Sequence, residues 1–542
     1  MTITSQRLLC IAILFLYITG GYSQNYEAII SQELHHQSPG GSILIAKDGN
    51  VVYHKSFGKA NIELGVDMTN KSVYRIASLS KQFTAIAILK LSEENKLSLT
   101  DEITKFIPDY PMKGYNITLE HLLSHTSGIK DYLSIESFDK TTQKQDMTPE
   151  EIINFFKNEP MDFEPGTRYQ YSSSGYIILG HIIEILSGMS YENYMQKFIF
   201  NPLGLSNTRY DTTTDTIKNR VSGYKKNNDN YKNANYLSMT LPYAAGSLVS
   251  TTEDFLKWNQ ALATEKIISS TTLESAYRPY VLKSGQKGLH GYGWEIGNVR
   301  NVKSVKHSGR INGFSTYALS VPEENVYITI LTNSEDVQNI DIITTKLAAV
   351  AMGKPYKLNE VTESKSNLEV VNGIYEDEFG TQKIVRFEDQ SLFLFDRGKT
   401  KNMLVPFGKG KFFVENSLTT WSIKKDNGET YLIENNTSQI NRWKRVKSDI
   451  KSIIPKNVKI KNLKTYTGKY ELGPNFYFEV KIENDILIGQ IRSDKKELVP
   501  IGNHQFIARD IDAKLTFNLN KNKNVISLTL DQGRATTAKK ID

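Results

Sequence analysis

A serine three residues ahead of a lysine, Ser78 and Lys81 in Arg75-Ile76-Ala77-Ser78-Leu79-Ser80-Lys81-Gln82-Phe83, opens an apolar run that reaches Leu91. The run reads as a helix with the two side chains one turn apart on one face. In a first turn, Ser78 would meet unpaired backbone N–H groups and a helix dipole that favour developing negative charge. A hydroxyl becomes a nucleophile once a base takes its proton, and a lysine can do so when burial or another cation lowers its pKa. Taken alone, the spacing is a weak signal, and an ordinary helix start with a surface lysine explains it better. Residues further along the chain decide between the two.

Two later stretches supply what such a serine would need. Tyr171 lies in Arg168-Tyr169-Gln170-Tyr171-Ser172-Ser173-Ser174-Gly175-Tyr176, a short polar loop between a Pro-Gly turn and a helical run. As a phenolate held near a lysine it would act as general base and then return the proton to the leaving group. With 29 tyrosines in the chain, a purely packing role is the competing reading. His307-Ser308-Gly309 closes a strand, and its small last residue lets a substrate backbone lie along the edge. The next amide, Arg310 N–H, would then share an oxyanion hole with the N–H of Ser78. Other catalytic patterns are missing from the sequence: no G-x-S-x-G elbow, no H-E-x-x-H and no glycine-rich phosphate loop before a helix. His35-His36 are adjacent and diverge, which suits a surface better than a metal site. No cofactor and no metal are expected.

The elements that must position these residues can be read from periodicity and turn chemistry. Gly41–Ala46 and Val51–Phe57 form a hairpin about Lys47-Asp48-Gly49-Asn50. Helical spacing recurs at Leu119–Leu123, Glu150–Phe156 and Ile177–Leu186, with loops at Ser124–Gly128 and Glu164–Thr167. Strands return at Ser304–His307, Phe314–Val321 and Val326–Thr332. Strands at both ends and helices between them predict an α+β domain: one antiparallel sheet drawn from distant parts of the chain, plus a helical lobe.

Beyond Pro355 the pattern changes to short alternating segments, as in antiparallel sheet, and it appears twice. Gly373-Ile374-Tyr375 is echoed by Gly468-Lys469-Tyr470, and Leu404-Val405-Pro406-Phe407-Gly408 by Leu498-Val499-Pro500-Ile501-Gly502. Phe412-Phe413 and Phe506 follow in register. Two duplicated barrel-like units are predicted, at residues 366–447 and 461–542, each closed enough to hide its sheet edges. The lysine-rich stretch Arg442–Lys464 reads as a solvated linker between them.

With 39% hydrophobic and 23% charged residues, the 542-residue chain has the composition of folded, water-soluble domains. Its net charge of +7 is modest for that length. Without interleaved basic and aromatic residues it gives no nucleic-acid footprint. Arg7, the apolar Leu8–Ile18 and Gly21-Tyr22-Ser23 have the three-part layout of a signal peptide spanning residues 1–23. Export is expected, to a periplasmic or secreted location, with Gln24 first after cleavage. The single cysteine, Cys10, falls inside that leader, so the mature chain would have neither disulfides nor a thiol nucleophile. No membrane span is expected in it.

In order and separation, Ser78-Leu79-Ser80-Lys81, Tyr171-Ser172-Ser173 and His307-Ser308-Gly309 resemble the serine β-lactamase and penicillin-binding-protein superfamily. The nearest branch is the class C-like one, with D-aminopeptidases, DD-carboxypeptidases and β-lactamase-like esterases. Leu122–Ile129, Glu164–Thr167, Asn201-Pro202-Leu203-Gly204-Leu205, Ala245–Thr251 and Gly291-Tyr292-Gly293-Trp294 extend the likeness over residues 26 to 352. The resemblance implies a β-lactamase-like domain over residues 24–355, with Ser78 as the acylated nucleophile and Lys81 and Tyr171 as its proton-transfer partners. It adds His307 to the catalytic residues, at the position where many β-lactamases have lysine, and places Ser173 where asparagine is common. Ser173, Ser308 and Gly309 would bind substrate, while His125 and Gly128 would shape the second lobe.

The activity this implies is an acyl-enzyme serine hydrolase acting on small peptides or amides that contain a D-residue, of D-aminopeptidase or DD-carboxypeptidase type. The alternatives are a β-lactamase-like esterase, a β-lactamase, and a non-catalytic binder of cell-wall or glycan fragments. The expected partner is a small-molecule or peptide substrate, with peptidoglycan fragments among the candidates. The duplicated tail resembles the C-terminal β-barrels of D-aminopeptidases and the lipocalin-like appendages of other members.

Overall fold

Asp48 and Gly49 adopt positive φ angles of 52° and 77° and fold Gly41–Lys47 (β1) back onto Asn50–Phe57 (β2). The computed structural model describes residues 26–31, 39–228, 230–356, 360–388, 390–414, 417–448, 463–474, 476–492, 494–532 and 534–541. The predicted leader and its cleavage point lie outside the described residues. Four late strands complete the sheet: Glu295–Val299 (β3), Val302–Ile311 (β4), Phe314–Val321 (β5) and Val326–Thr332 (β6), in the order β3-β4-β5-β6-β1-β2. All the pairings are antiparallel, and β1 meets β6 with Ile43 opposite Ile330.

Alternation along β1 sends Ile43 and Ile45 to one face, where they join Ile328, Ile330, Ile343 and Leu347 in one apolar cluster. Leu44 and Ala46 face the other way, into a larger core shared with the helical lobe. Because both faces are covered, β5 and β6 are buried along their whole length. The centre of the lobe is Ser80–Glu93 (α1), which buries residues on every side, as a helix does when other elements surround it. Ser173–Ser187 (α2) packs beside it and ends at Gly188 in the left-handed conformation.

Two expectations need correction here. His307-Ser308-Gly309 does not close a strand, because β4 runs on to Ile311. The expected run stopped at His307 because Ser308, Gly309 and Arg310 carry no apolar alternation. Strand β3 was not foreseen, since Gly297 and Asn298 dilute its two apolar residues. It pairs only with Val302–Lys306, and so leaves the outer edge of His307–Ile311 without a strand partner in that sheet.

The residues up to Tyr356 form one compact unit and those after it a second. The second unit contains two closed barrels of eight strands each, from Gly373–Glu376 to Ile440–Lys447 and from Gly468–Gly473 to Ala535–Lys540. The echoes in the sequence fall on equivalent places. Tyr375 and Tyr470 lie in the first strands, and each hydroxyl donates to the carbonyl four residues earlier, Val371 at 2.7 Å and Tyr466 at 2.8 Å. Each fourth strand shifts register between its proline and its glycine, with Pro406 opposite Phe412 and Pro500 opposite Phe506. The predicted linker is partly strand: Arg442–Lys447 complete the first barrel by pairing with its neighbours. Residues 449–462 lie outside the described residues.

Candidate active site

Ser78 lies in a 3₁₀ turn, Ala77–Leu79, that leads into α1, rather than in the first turn of the α-helix itself. Ala77 holds φ at +50°, a left-handed conformation that costs an alanine about 1–3 kcal/mol and persists only where its surroundings enforce it. Those surroundings are strand β5, strand β4 and the segment leading to Leu248. The Thr316 hydroxyl donates to Ile76 O at 3.0 Å, and Ile76 N–H donates to Leu248 O at 3.0 Å. At Gly309, β4 comes so close that a Cβ would lie 2.5 Å from Ile76 O and 3.2 Å from the Ala77 Cβ. Gly309 therefore fits the turn through what it lacks.

Lys81 is fully buried, with its Nζ 3.3 Å from Ser78 Oγ, 3.4 Å from Ser173 Oγ and 2.9 Å from Ala245 O. The ammonium also lies over the rings of Tyr171 and Tyr176, 4.9 and 5.6 Å from their centroids. Burial pulls its pKa from 10.5 down to about 7, against the Asp131 carboxylate, which pulls it up. A neutral amine is therefore well populated near neutral pH, next to the hydroxyl it would deprotonate.

Tyr171 has the opposite proton inventory. Burial pushes its phenol upward, and the neighbouring Ser78 hydroxyl offsets only part of the shift. The Tyr171 hydroxyl is buried, yet in this resting arrangement no contact to it meets hydrogen-bond geometry. It therefore rests as a phenol rather than as the phenolate expected from the sequence.

Behind Tyr171 stand three buried histidines. His125 stacks on its ring at 4.3 Å, while His290 and His307 each lie 6.1 Å from it. His307 Nδ1 is 2.6 Å from Ser308 O; a carbonyl only accepts, so Nδ1 carries the proton and Nε2 keeps its lone pair. Burial, then His290 and Lys81, pull the pKa of His307 to about 3, and it stays neutral. It therefore supplies no cation where many β-lactamases carry lysine.

Several contributors were missed in the sequence. Asp131 accepts the N–H of Ser173 at 3.3 Å at the start of α2, where the N-cap side chain of Ser172 makes no such bond. It also tunes Lys81. His290 joins the ring cluster by stacking on Tyr169 at 4.9 Å. The carbonyl of Ala245 anchors the lysine. Asp131 and His290 each lie within two residues of a motif that was noticed, but only the fold brings them to Ser173 and Tyr171.

A cavity of about 190 Å³ opens beside Ser78. Tyr132, Leu133, Phe138, Leu237 and Ile311 form apolar walls, and Ser173 and Arg310 stand at the same opening. Lys81, Tyr171, Ser308 and His307 do not line it. The structure thus gathers Ser78, Lys81, Tyr171, Ser173, His307 and Gly309 around one turn, with Ser308 and Arg310 on the strand edge next to it.

The family profile described as Beta-lactamase matches residues 26–351. Penicillin-binding protein 4* of Bacillus subtilis (strain 168) is 30% identical over 69% of this chain and 87% of its own length. The octameric penicillin-binding protein homologue from Pyrococcus abyssi superposes with a TM-score of 0.55 at 27% identity, covering 79% of this chain and 99% of that one. The D-amino acid amidase from Ochrobactrum anthropi SV3, complexed with D-phenylalanine, shares the fold at 22% identity, with a TM-score of 0.54 over 61% of this chain and 99% of its own. The chain belongs to the beta-lactamase family, within the superfamily of serine β-lactamases and penicillin-binding proteins, a group of serine hydrolases.

Proposed function

We propose that this protein is an exported acyl-enzyme hydrolase of small peptides and amides containing a D-residue, of D-aminopeptidase or DD-carboxypeptidase type, with Ser78 as nucleophile. The observation that carries the reading is the buried Lys81 amine, with a pKa of about 7, 3.3 Å from the Ser78 hydroxyl. In the first half-reaction Lys81 Nζ takes the Ser78 proton as Oγ bonds to the substrate carbonyl carbon. The N–H groups of Ser78 and Arg310 hold the resulting oxyanion. As the tetrahedral species collapses the scissile bond breaks, and the leaving nitrogen takes a proton from the Tyr171 hydroxyl, which Lys81 replenishes. Water then repeats the sequence on the acyl carbon, and Ser78 regains its proton.

Penicillin-binding relatives support a peptide-like substrate, with cell-wall peptide fragments as the candidate source. The unpaired outer edge of His307–Ile311 supports substrate lying along β4 by main-chain hydrogen bonding, flanked by Ser308 and Gly309. Ser173, 3.4 Å from Lys81, would contact the substrate amide. An esterase is the second reading. It is favoured by the neutral His307, which leaves that position without a fixed charge for a substrate carboxylate.

The test is the intact mass of the protein and of Ser78→Ala after incubation with benzylpenicillin, followed by D-aminoacyl amides and short acyl esters. A Ser78-dependent adduct or turnover is the expected result. Turnover that survives in Ser78→Ala would remove the assignment.

A further inference from the structure

We propose that the cavity beside Ser78 selects an acyl group that combines an apolar body with an anionic substituent read by the Arg310 guanidinium, and discriminates against one that ends in a free ammonium. This rests on the serine-hydrolase reading and narrows its substrate class. It favours blocked, acidic acyl groups over the free amino terminus that an aminopeptidase requires.

The first support is the side of Ser78 on which the cavity lies. Lys81 and Tyr171 are absent from its walls, which reach the lysine only through Ser173 and Ala245. Ser78 itself stands in the lining, so the acyl group that stays on its Oγ after the leaving group departs has this cavity beside it. Its walls of Tyr132, Leu133, Phe138, Leu237 and Ile311 suit an aliphatic or aromatic body.

The second support is charge. No aspartate or glutamate lines the cavity, and Arg310 is its one ionisable lining side chain apart from the phenol of Tyr132. Arg310 is exposed, and it makes no ion pair or side-chain hydrogen bond with any described residue. Its guanidinium therefore offers a full set of donors to a ligand. Asp131, the carboxylate that acts on Lys81, is outside the lining and already accepts the N–H groups of Ser173 and Leu133. An ammonium bound here would meet the Arg310 cation and no anion in the lining, the Asp131 carboxylate behind it being already engaged, whereas a carboxylate would meet the guanidinium. His307 is neutral, so Arg310, three residues further along β4, supplies the positive charge of this strand edge.

Three p-nitroanilides of D-phenylalanine test the proposal at pH 7: N-succinyl, N-acetyl, and the free amine, whose α-amino group is mostly protonated there. The wild-type protein should hydrolyse the succinyl compound with a kcat/KM about tenfold above the free amine, the acetyl compound falling between. Arg310→Gln should bring the succinyl-to-acetyl ratio close to one, and Arg310→Glu should reverse the order of succinyl and free amine. Ratios between substrates cancel any loss common to all three. A wild-type preference for the free amine, or a succinyl-to-acetyl ratio that Arg310→Gln leaves unchanged, overturns the proposal. Equal hydrolysis of all three overturns it too, while leaving the serine-hydrolase reading in place. Release by Ser78→Ala, or no release from any of the three, defeats both.

Discussion

With Lys81 as the proposed base, its protonation state should set the pH range of activity. Only the neutral amine can accept the Ser78 proton, and burial brings its pKa to about 7. As pH rises through that value the base form fills, so kcat/KM should climb to a plateau with a midpoint near 7. Tyr171 is displaced the other way and acts as a phenol, so no fall is expected below the ordinary tyrosine range, about 10. His307 stays neutral over this span and adds no second limb. Asp131 favours the charged lysine, so Asp131→Asn should make the ammonium less stable and move the midpoint to lower pH. A pH–rate profile checks both statements, and a midpoint that rises in the variant would contradict the pairing.

At the level of elements, the nucleophile turn depends on pieces that are distant in sequence. Just ahead of it, Arg75 donates to the fully buried Asp211 at 2.7 Å, and Arg220 reaches the other carboxylate oxygen at 3.0 Å. Removing the carboxylate would leave two guanidinium groups facing each other. Asp211→Ala should therefore destabilise the catalytic unit by about 3 kcal/mol, read as a shift in the denaturation midpoint. Gly309→Ala should act more locally, because its Cβ would press on the backbone of Ile76 and on Ala77. A loss of kcat of roughly a hundredfold is expected, with a stability cost of about 1–3 kcal/mol. An alanine variant with unchanged kcat would mean that the close approach does not matter.

The same contacts show what could be read from the chain alone. Leu119–Leu123, Phe314–Val321 and Val326–Thr332 were legible to the residue, because apolar periodicity and turn residues act locally. The order of their motifs singled out Ser78, Lys81 and Tyr171, and the fold brings the three side chains together. Asp131, His290 and the Arg75–Asp211–Arg220 cluster were not legible, since each is defined by a partner that only tertiary structure brings near, and strand β3, though it pairs with the next strand, was hidden by Gly297 and Asn298. The charge states were also out of reach. Burial decides that Lys81 falls and Tyr171 rises, and burial is a property of the fold.

In the molecule as a whole, the tail is more than two barrels on a string. Asp512 of the second barrel accepts Arg386 at 3.0 Å and the N–H of Gly398 at 3.1 Å, both from the first. Lys401 N–H donates to Asp510 O at 2.9 Å, and Asp512 N–H to Lys399 O at 3.0 Å. Beneath this clasp Lys401 and Glu388 form a buried pair at 2.7 Å. Asp512→Ala should therefore speed amide hydrogen exchange on both sides, at residues 398–401 and 510–513. An effect confined to 510–513 would show that the barrels open independently.

The clasp also bears on the tail's ancestry. A freshly copied module can be lost again without harm, because nothing in its parent has come to rely on it. Here the Gly398 and Lys401 N–H groups donate to acceptors in the second copy, and Arg386 lies between its own Glu388 and Asp512, so a deletion that returned the tail to one unit would leave bare amides and two cations, Arg386 and Lys401, sharing the one carboxylate of Glu388. Once that dependence arose, the two copies were bound to a common fate.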